Sequence, residues 1–261
     1  MNSKNVAIHT WEDDLVFREV LQYLRSKSIS GEIIGSERLL KDISDEFSVL
    51  IDKKSDSWKE LEAIKRAETD GIPTFVGSEI HEVLNDNYAS KQMLKPDFNI
   101  PEMSLDEPFE EAQIIKPRYE TDSLEPSFSE EDVDEDGFEA SVFYEKCLGD
   151  GRPEVEYKMY GVWKDDSYAV GAIRRTSPLL DSDSEREQVS INQDMEDLVV
   201  NVRNRLNNEI DRSEIRLIGI DALKHEGEWY VIDINSGPSY RGTKIKEFLN
   251  EAVYEWVDEL N

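Results

Sequence analysis

Two strand-like segments near the C-terminus carry the side chains best suited to chemistry. EWYVIDIN sets Asp233 and Asn235 two residues apart, so on an extended strand they share a face, and RLIGIDAL carries Asp221. Only KHEGE separates the segments, which therefore read as the arms of a hairpin. With a two-residue loop, Glu226-Gly227, Asp221 would lie opposite Ile232 and point away from Asp233. With a three-residue loop, His225-Glu226-Gly227, Asp221 lies opposite Val231 and faces the same way as Asp233. The second arrangement is the expected one, and it requires a positive φ at Gly227. It gathers two carboxylates and an amide on one surface, where like charges raise each other's pKa unless a cation lies between them. Such an all-oxygen trio suits Mg²⁺, which shares its shell with waters and phosphates.

Cations suited to phosphate stand out in an acidic chain. Lys116 ends the apolar run of EAQIIKP, Lys158 lies in EVEYKMYGV, and Arg174-Arg175 close SYAVGAIRR. Several such cations beside a metal would form a triphosphate pocket.

These residues must be positioned by a chain of 261 residues with 38% hydrophobic composition, long enough for a sizeable core. The 59 acidic and 30 basic residues leave a formal charge of −29, which argues against nucleic acid or an anionic membrane as a general partner. Acidity of this kind fits either concentrated salt or an ordinary acidic cytosolic setting. One cysteine, Cys147, excludes an internal disulfide and is expected as buried packing, and three histidines leave no Cys/His metal cluster. No apolar run approaches a membrane span or a signal-peptide core, so the expectation is a soluble, cytoplasmic protein.

The first 85 residues alternate strand-like segments (NVAIHT, GEIIG, FSVLIDKK, PTFVG) with helix-like ones (DDLVFREVLQYLRSK, SWKELEAIKRAETDG), which argues for a parallel sheet covered by helices. Leu15, Val16, Val20, Leu21 and Leu24 recur at helical spacing and are expected in the core. A helix in DNYASKQML precedes a proline-marked crossing, giving a division into residues 1–88 and 89–261, the latter into lobes 89–140 and 141–261. The stretch ETDSLEPSFSEEDVDEDG has no period and reads as a solvated acidic loop. From Ala140 the pattern is ASVFYEKCL, EVEYKMYGVW and SYAVGAIRR, a loop through SPLLDSDSER, and a helix striped by Met195, Leu198, Val199, Val202, Leu206 and Ile210. The hairpin comes next, and then a helix striped by Phe248, Leu249, Ala252, Val253, Trp256, Val257 and Leu260.

In this order the segments resemble the ATP-grasp superfamily, which implies an α/β and α+β fold: an N-terminal Rossmann-like lobe ahead of two α+β lobes that clamp ATP. IIKPRY resembles that family's strand with the nucleotide-binding lysine, implicating Lys116. VFYEKCL resembles the segment along adenine, implicating Glu145, Lys146 and Leu148. EYKMYGV resembles its strand with a basic residue, implicating Lys158, and GAIRR its phosphate-proximal arginine, implicating Arg175 in catalysis. GIDAL and VIDINSGPS resemble the two metal-bearing strands, implicating Asp221, Asp233 and Asn235; this is the most specific of the motifs. The family's glycine-containing loop over the phosphates has only Gly137 in its place, and Asn87 stands where a basic residue is often found, with Lys91 one helical turn on.

NSGPS resembles the turn of the RimK-like and glutathione-synthetase-like ligases. The resemblance therefore implies an ATP- and Mg²⁺-dependent (or Mn²⁺-dependent) ligase that joins a carboxylate to an amine through an acyl phosphate, with a small-molecule or peptide acceptor. The longer YVIDINSGPSYRG, with EYKMYGV and RRTSP, also resembles the inositol-phosphate kinases, which would need a basic cluster from Arg118, Arg174, Arg241, Lys244 and Lys246. A nucleotide-binding protein without turnover is the third reading. Tyr240 and Arg241 are expected where an acceptor enters.

Overall fold

The computed structural model describes residues 4–55, 57–119, 141–149, 155–176, 185–237, 240 and 245–260. Near the N-terminus, β1 (Asn5–His9), β2 (Ser30–Ile34) and β3 (Val49–Asp52) form a parallel sheet in the order β2-β1-β3. PTFVG contributes one parallel bridge, Thr74 beside Leu50, in place of a full strand. The connections are helical, as parallel crossovers require: α1 (Leu15–Ser26), α2 (Ser36–Leu39), α3 (Trp58–Thr69) and α4 (Ser78–Asn85). Asp14 caps α1 by accepting from the Val16 and Phe17 amides, and Ser57 caps α3 by accepting from Glu60. Val16, Val20, Leu21 and Leu24 are buried as their spacing predicts, but Leu15, first in the helix, is 60% exposed.

After α5 (Asn87–Leu94), a three-stranded antiparallel sheet is built in the order β4-β6-β5 from β4 (Met103–Ser104), β5 (Gln113–Pro117) and β6 (Val142–Lys146). The small sheet thus takes β6 from beyond residue 140. The acidic stretch expected as a loop, residues 120–137, lies outside the described residues.

The third sheet is antiparallel, in the order β11-β10-β7-β8-β9. It comprises β7 (Val155–Lys164), β8 (Ser167–Thr176), β9 (Arg186–Val189), β10 (Leu217–His225) and β11 (Glu228–Asn235), with helices α6 (Gln193–Asn207) and α7 (Lys246–Glu259). β9 falls where the sequence pattern leads one to expect a loop; its REQV has little apolar content to signal a strand, and three of its four residues are exposed on the sheet edge. The stripes of α6 and α7 face inward: Met195, Leu198, Val199, Val202 and Leu206, then Leu249, Ala252, Val253 and Val257, are buried.

One apolar core joins the first sheet to the third, running from Ile8, Phe17 and Phe75 to Leu249 and Val257. Edge-on aromatic pairs mark that junction, Tyr23 with Tyr254 at 6.2 Å and Phe75 with Trp256 at 5.0 Å between ring centroids. β11 is the edge strand of its sheet, and its free side is covered by the small lobe: the Val231 amide donates to the Asn99 carbonyl, and α5 packs against it. The C-terminal end of β11 meets the first sheet. All three sheets therefore converge on the end of β11.

Candidate functional site

The hairpin turn has two residues, not three. His225 pairs with Glu228, leaving Glu226 (φ 52°) and Gly227 (φ 90°) as the loop, the double positive φ of a type I′ turn. The positive φ expected at Gly227 is present; the three-residue loop is not. A regular ladder from this turn would set Asp221 opposite Ile232 and separate the carboxylates. A β-bulge between Asp221 and Ala222 shifts the register instead, so that Ala222 pairs with Val231 and Asp221 with Asp233. The two carboxylates are thereby cross-strand partners, and Asn235, two residues beyond Asp233, pairs with Gly219 in the same register.

The next strand brings cations to this surface. Asp221 pairs across to Lys158 of β7, whose ammonium makes an ion pair with Asp221 Oδ2 and lies 3.1 Å from Glu156 Oε1. Glu156, Lys158 and Tyr160 alternate onto one face of β7. Arg175 of β8 lies opposite Glu156, with Arg186 of β9 beyond it, so Arg175 stands on the same face as the carboxylates.

The electrostatics of the trio are unbalanced. Burial pushes the Asp221 carboxyl up, Lys158 pulls it down and Glu156 raises it again, leaving it at about 6. Burial and then the neighbouring Asp221 charge also raise Asp233, which makes no hydrogen bond or ion pair among the described residues. Asn235 Oδ1 is buried without a hydrogen-bond partner among the described residues. A raised carboxylate pair beside an orphaned amide oxygen is a donor set suited to a hard divalent cation, which would relieve both the repulsion and the orphan. Among the described residues no group of three or more His, Cys, Asp or Glu side chains is arranged to hold a metal ion, and the set here has two carboxylates with an amide as its third donor.

On the other side of β11 lies a second group of charges. Lys91 of α5 donates to Glu145 Oε2 (2.6 Å) and to the Ile232 carbonyl (2.8 Å); Lys116 of β5 donates to Glu145 Oε1 (2.6 Å) and to the same carbonyl (2.9 Å). Ile232 is the extra residue of the bulge. One irregularity thus aligns the carboxylates and offers the carbonyl that anchors both ammoniums. Burial pushes Lys91 down to about 8, with Glu145 pulling the other way. Lys116 is also driven down by burial, but the Glu145 and Asp233 charges outweigh this and raise it. Burial would raise Glu145, and the two lysines more than reverse it.

The sequence-predicted residues divide between these two groups and the surface. Asp221, Asp233, Asn235, Lys158 and Arg175 share one face of the third sheet, and Lys116 with Glu145 reaches β11 from the small sheet. Lys146 alternates away from Glu145 and pairs with Glu111 near the surface at 2.7 Å, while Leu148 is half-buried in the bend after β6. Tyr240 does not line an entrance: it is fully buried, packed 5.6 Å from the Tyr160 ring, with its hydroxyl 3.4 Å from the Gly161 carbonyl oxygen. Arg241 and Lys244 lie outside the described residues. Cys147 is buried, as expected, and burial raises its thiol pKa.

Glu156 is a site residue that sequence reasoning misses, and Lys91, noted only as lying one helical turn beyond Asn87, is the basic residue of α5 that reaches the site. Lys91 has a legible signal: Asn87, Ser90, Lys91 and Leu94 form the buried stripe of α5, and a lysine in a core register needs a buried partner. Of the arginines and lysines that would have to hold a polyanion, the three among the described residues do not cluster. Arg118 pairs with Asp86, Arg174 with Glu187 and Lys246 with Glu19, on separate elements.

No protein-family model and no curated protein matches the sequence. Solved structures do match the fold over nearly the whole chain. The ATP-grasp ligase PsnB, complexed with a minimal precursor, superposes with a TM-score of 0.64 at 15% identity, covering 97% of this chain and 99% of that one. The D-cycloserine synthetase DcsG superposes with a TM-score of 0.73 at 12% identity, over 97% and 99% of the two chains. The D-alanine–D-alanine ligase from Bacillus anthracis, complexed with ATP, gives 0.67 at 13% identity, over 99% and 95%. Three sheets in this order, closing on a hairpin that carries the paired carboxylates, give the chain the ATP-grasp fold.

Proposed function

We propose that the protein is an ATP- and Mg²⁺-dependent ligase that joins a carboxylate to an amine through an acyl phosphate. The observation that carries this reading is the joint presence, on either side of β11, of an under-neutralised Asp221/Asp233/Asn235 oxygen set and the Lys91–Lys116 ammonium pair. Asp221, Asp233 and Asn235 would hold Mg²⁺, for which Mn²⁺ can substitute. Bound there, the metal supplies charge neutralisation for phosphate oxygens.

Lys116, Lys91 and Lys158 would hold the phosphates, and the Glu145–Leu148 segment, with Lys146, would lie along the adenine. A substrate carboxylate oxygen attacks the γ-phosphorus, the bond to the bridging oxygen breaks, and ADP leaves. An amine nitrogen then attacks the acyl carbon, phosphate departs, and the amine proton passes to solvent. Arg175, on the carboxylate face, would stabilise charge on the phosphoryl group in flight. No side-chain nucleophile is needed, so catalysis is positioning and electrostatics.

The structurally similar proteins include a ligase complexed with a precursor peptide and a D-alanine–D-alanine ligase, and a peptide or small-molecule acceptor is the corresponding reading here. The test is ADP release with panels of carboxylate and amine pairs, with hydroxylamine as a surrogate amine that converts an acyl phosphate to a hydroxamate. ADP released only with inositol phosphates would replace this reading with a kinase; Mg²⁺·ATP binding with no turnover on any panel would favour a binding protein.

A further inference from the structure

A chain of buried polar groups unused by this chemistry lies where the first sheet meets the end of β11. Asp52, the last residue of β3, is fully buried, and its Oδ1 is 2.6 Å from His9 Nδ1. Its Oδ2 pairs with His81 Nε2 on α4, and His81 Nδ1 is 3.0 Å from Ser236 Oγ. His9 Nε2 in turn lies 3.7 Å from Glu60 Oε1 of α3. None of these five residues is more than 3% exposed. Burial pushes the Asp52 carboxyl up, but the two imidazoles outweigh it and hold it below the ordinary carboxylate range.

Such a network is expensive to bury, the more so because His9 Nε2, Asp52 Oδ2 and His81 Nε2 are close to partners but make no well-aligned hydrogen bond among the described residues. Its far end is Ser236, the residue directly after Asn235. The next residue is held to the same lobe: a Cβ on Gly237 would lie 2.0 Å from the Lys53 carbonyl oxygen, so glycine alone permits this approach. Two successive residues beyond Asn235 are thus docked against Asp52, through His81, and against Lys53. The order Ser-His-Asp is that of a hydrolytic triad, but Ser236 is buried at the lobe junction with no access for a substrate.

We propose that His81 and Ser236 are positioning residues that fix the Asn235 amide by tying the end of β11 to the first sheet. The inference rests on the reading of Asn235 as a metal ligand. Asn235 is the last residue of an edge strand, beyond which the ladder no longer restrains the chain. The Ser236–His81 bond supplies the missing restraint, as outer partners of metal ligands do elsewhere. It also makes the metal site sensitive to how the N-terminal lobe is seated.

The experiment compares wild type, Ser236→Ala and His81→Gln by calorimetric binding of a non-hydrolysable ATP analogue as Mg²⁺ is varied, with melting temperature measured in chelator. Ser236→Ala should raise the Mg²⁺ concentration for half-maximal binding by about 10–100-fold. Its metal-free nucleotide affinity should stay within about twofold of wild type. A Ser236→Ala protein with an unchanged Mg²⁺ requirement overturns the positioning role, whatever its melting temperature. If His81→Gln fails to fold, Ser236→Ala decides alone, since it removes one hydroxyl. A wild-type protein whose nucleotide binding ignores Mg²⁺ overturns the metal reading itself, and the positioning role with it.

Discussion

Asp221 and Asp233 stand opposite each other because β11 carries one more residue than β10 between the turn and the carboxylates. That residue is Ile232, whose carbonyl receives both Lys91 and Lys116. The acidic and basic halves of the site are therefore set by a single backbone irregularity.

The carboxylate pair carries a cost in the metal-free protein. Burial and then Asp221 raise the Asp233 pKa above its ordinary value. A folded carboxyl with a raised pKa binds its proton more tightly than the unfolded one, so stability falls as pH rises from the unfolded pKa through the folded one, and the penalty is complete above the latter. Asp233→Asn should raise the melting temperature in chelator at pH 7.5 while weakening Mg²⁺-dependent nucleotide binding by more than about tenfold. A lower melting temperature in chelator would contradict repulsion between the two carboxylates.

Lys91 gives the site a pH signature. Burial, only partly countered by Glu145, lowers its ammonium from 10.5 to about 8. Because the folded pKa lies below the unfolded one, this group opposes folding below pH 8, and the penalty fades as pH rises from 8 to 10.5. Phosphates arriving beside it would favour the charged form, so ATP-analogue binding should take up a proton near pH 8 and none at pH 6. Calorimetry in two buffers of different ionisation enthalpy measures the uptake, and Lys91→Met should abolish the difference between them.

The type I′ turn holds a suboptimal residue. Glu226 sits at φ 52° ahead of Gly227, where Asn-Gly is the preferred pair. Glu226→Asn should stabilise the protein by about 0.5–1 kcal/mol with nucleotide binding unchanged. Denaturant unfolding checks it; loss of stability would mean that the turn is held by contacts of the Glu226 side chain.

Gly237→Ala should be disproportionately harmful for one methyl group. The added Cβ would meet backbone, the Lys53 carbonyl oxygen, which cannot swing aside as a side-chain tip can. A loss of about 1–3 kcal/mol, read by thermal unfolding, is expected together with a higher Mg²⁺ requirement for nucleotide binding. A neutral result would show that the lobe junction gives way.

The sequence by itself determined what is local. Alternation placed Asp233 and Asn235 on one face, helical stripes located the buried sides of α1, α6 and α7, and the βα alternation of the first 85 residues specified a parallel sheet. The same local periodicity exposes Lys91 as a charge in a core register, although it does not show the partner. What only the tertiary structure decided is non-local. The turn expected from sequence is one residue too long and the bulge is unforeseen, two errors that cancel to leave Asp221 facing Asp233. The bulge has no signature in the alternation of β11, because the successive residues Val231 and Ile232 are both apolar and both buried, so either suits the inward side. Glu145 meets Lys91 and Lys116 from 54 and 29 residues away, and Ser236 meets His81 across 155. Such pairs form because buried charges and hydroxyls must find partners once the lobes close, and only the closed chain shows which partners are within reach.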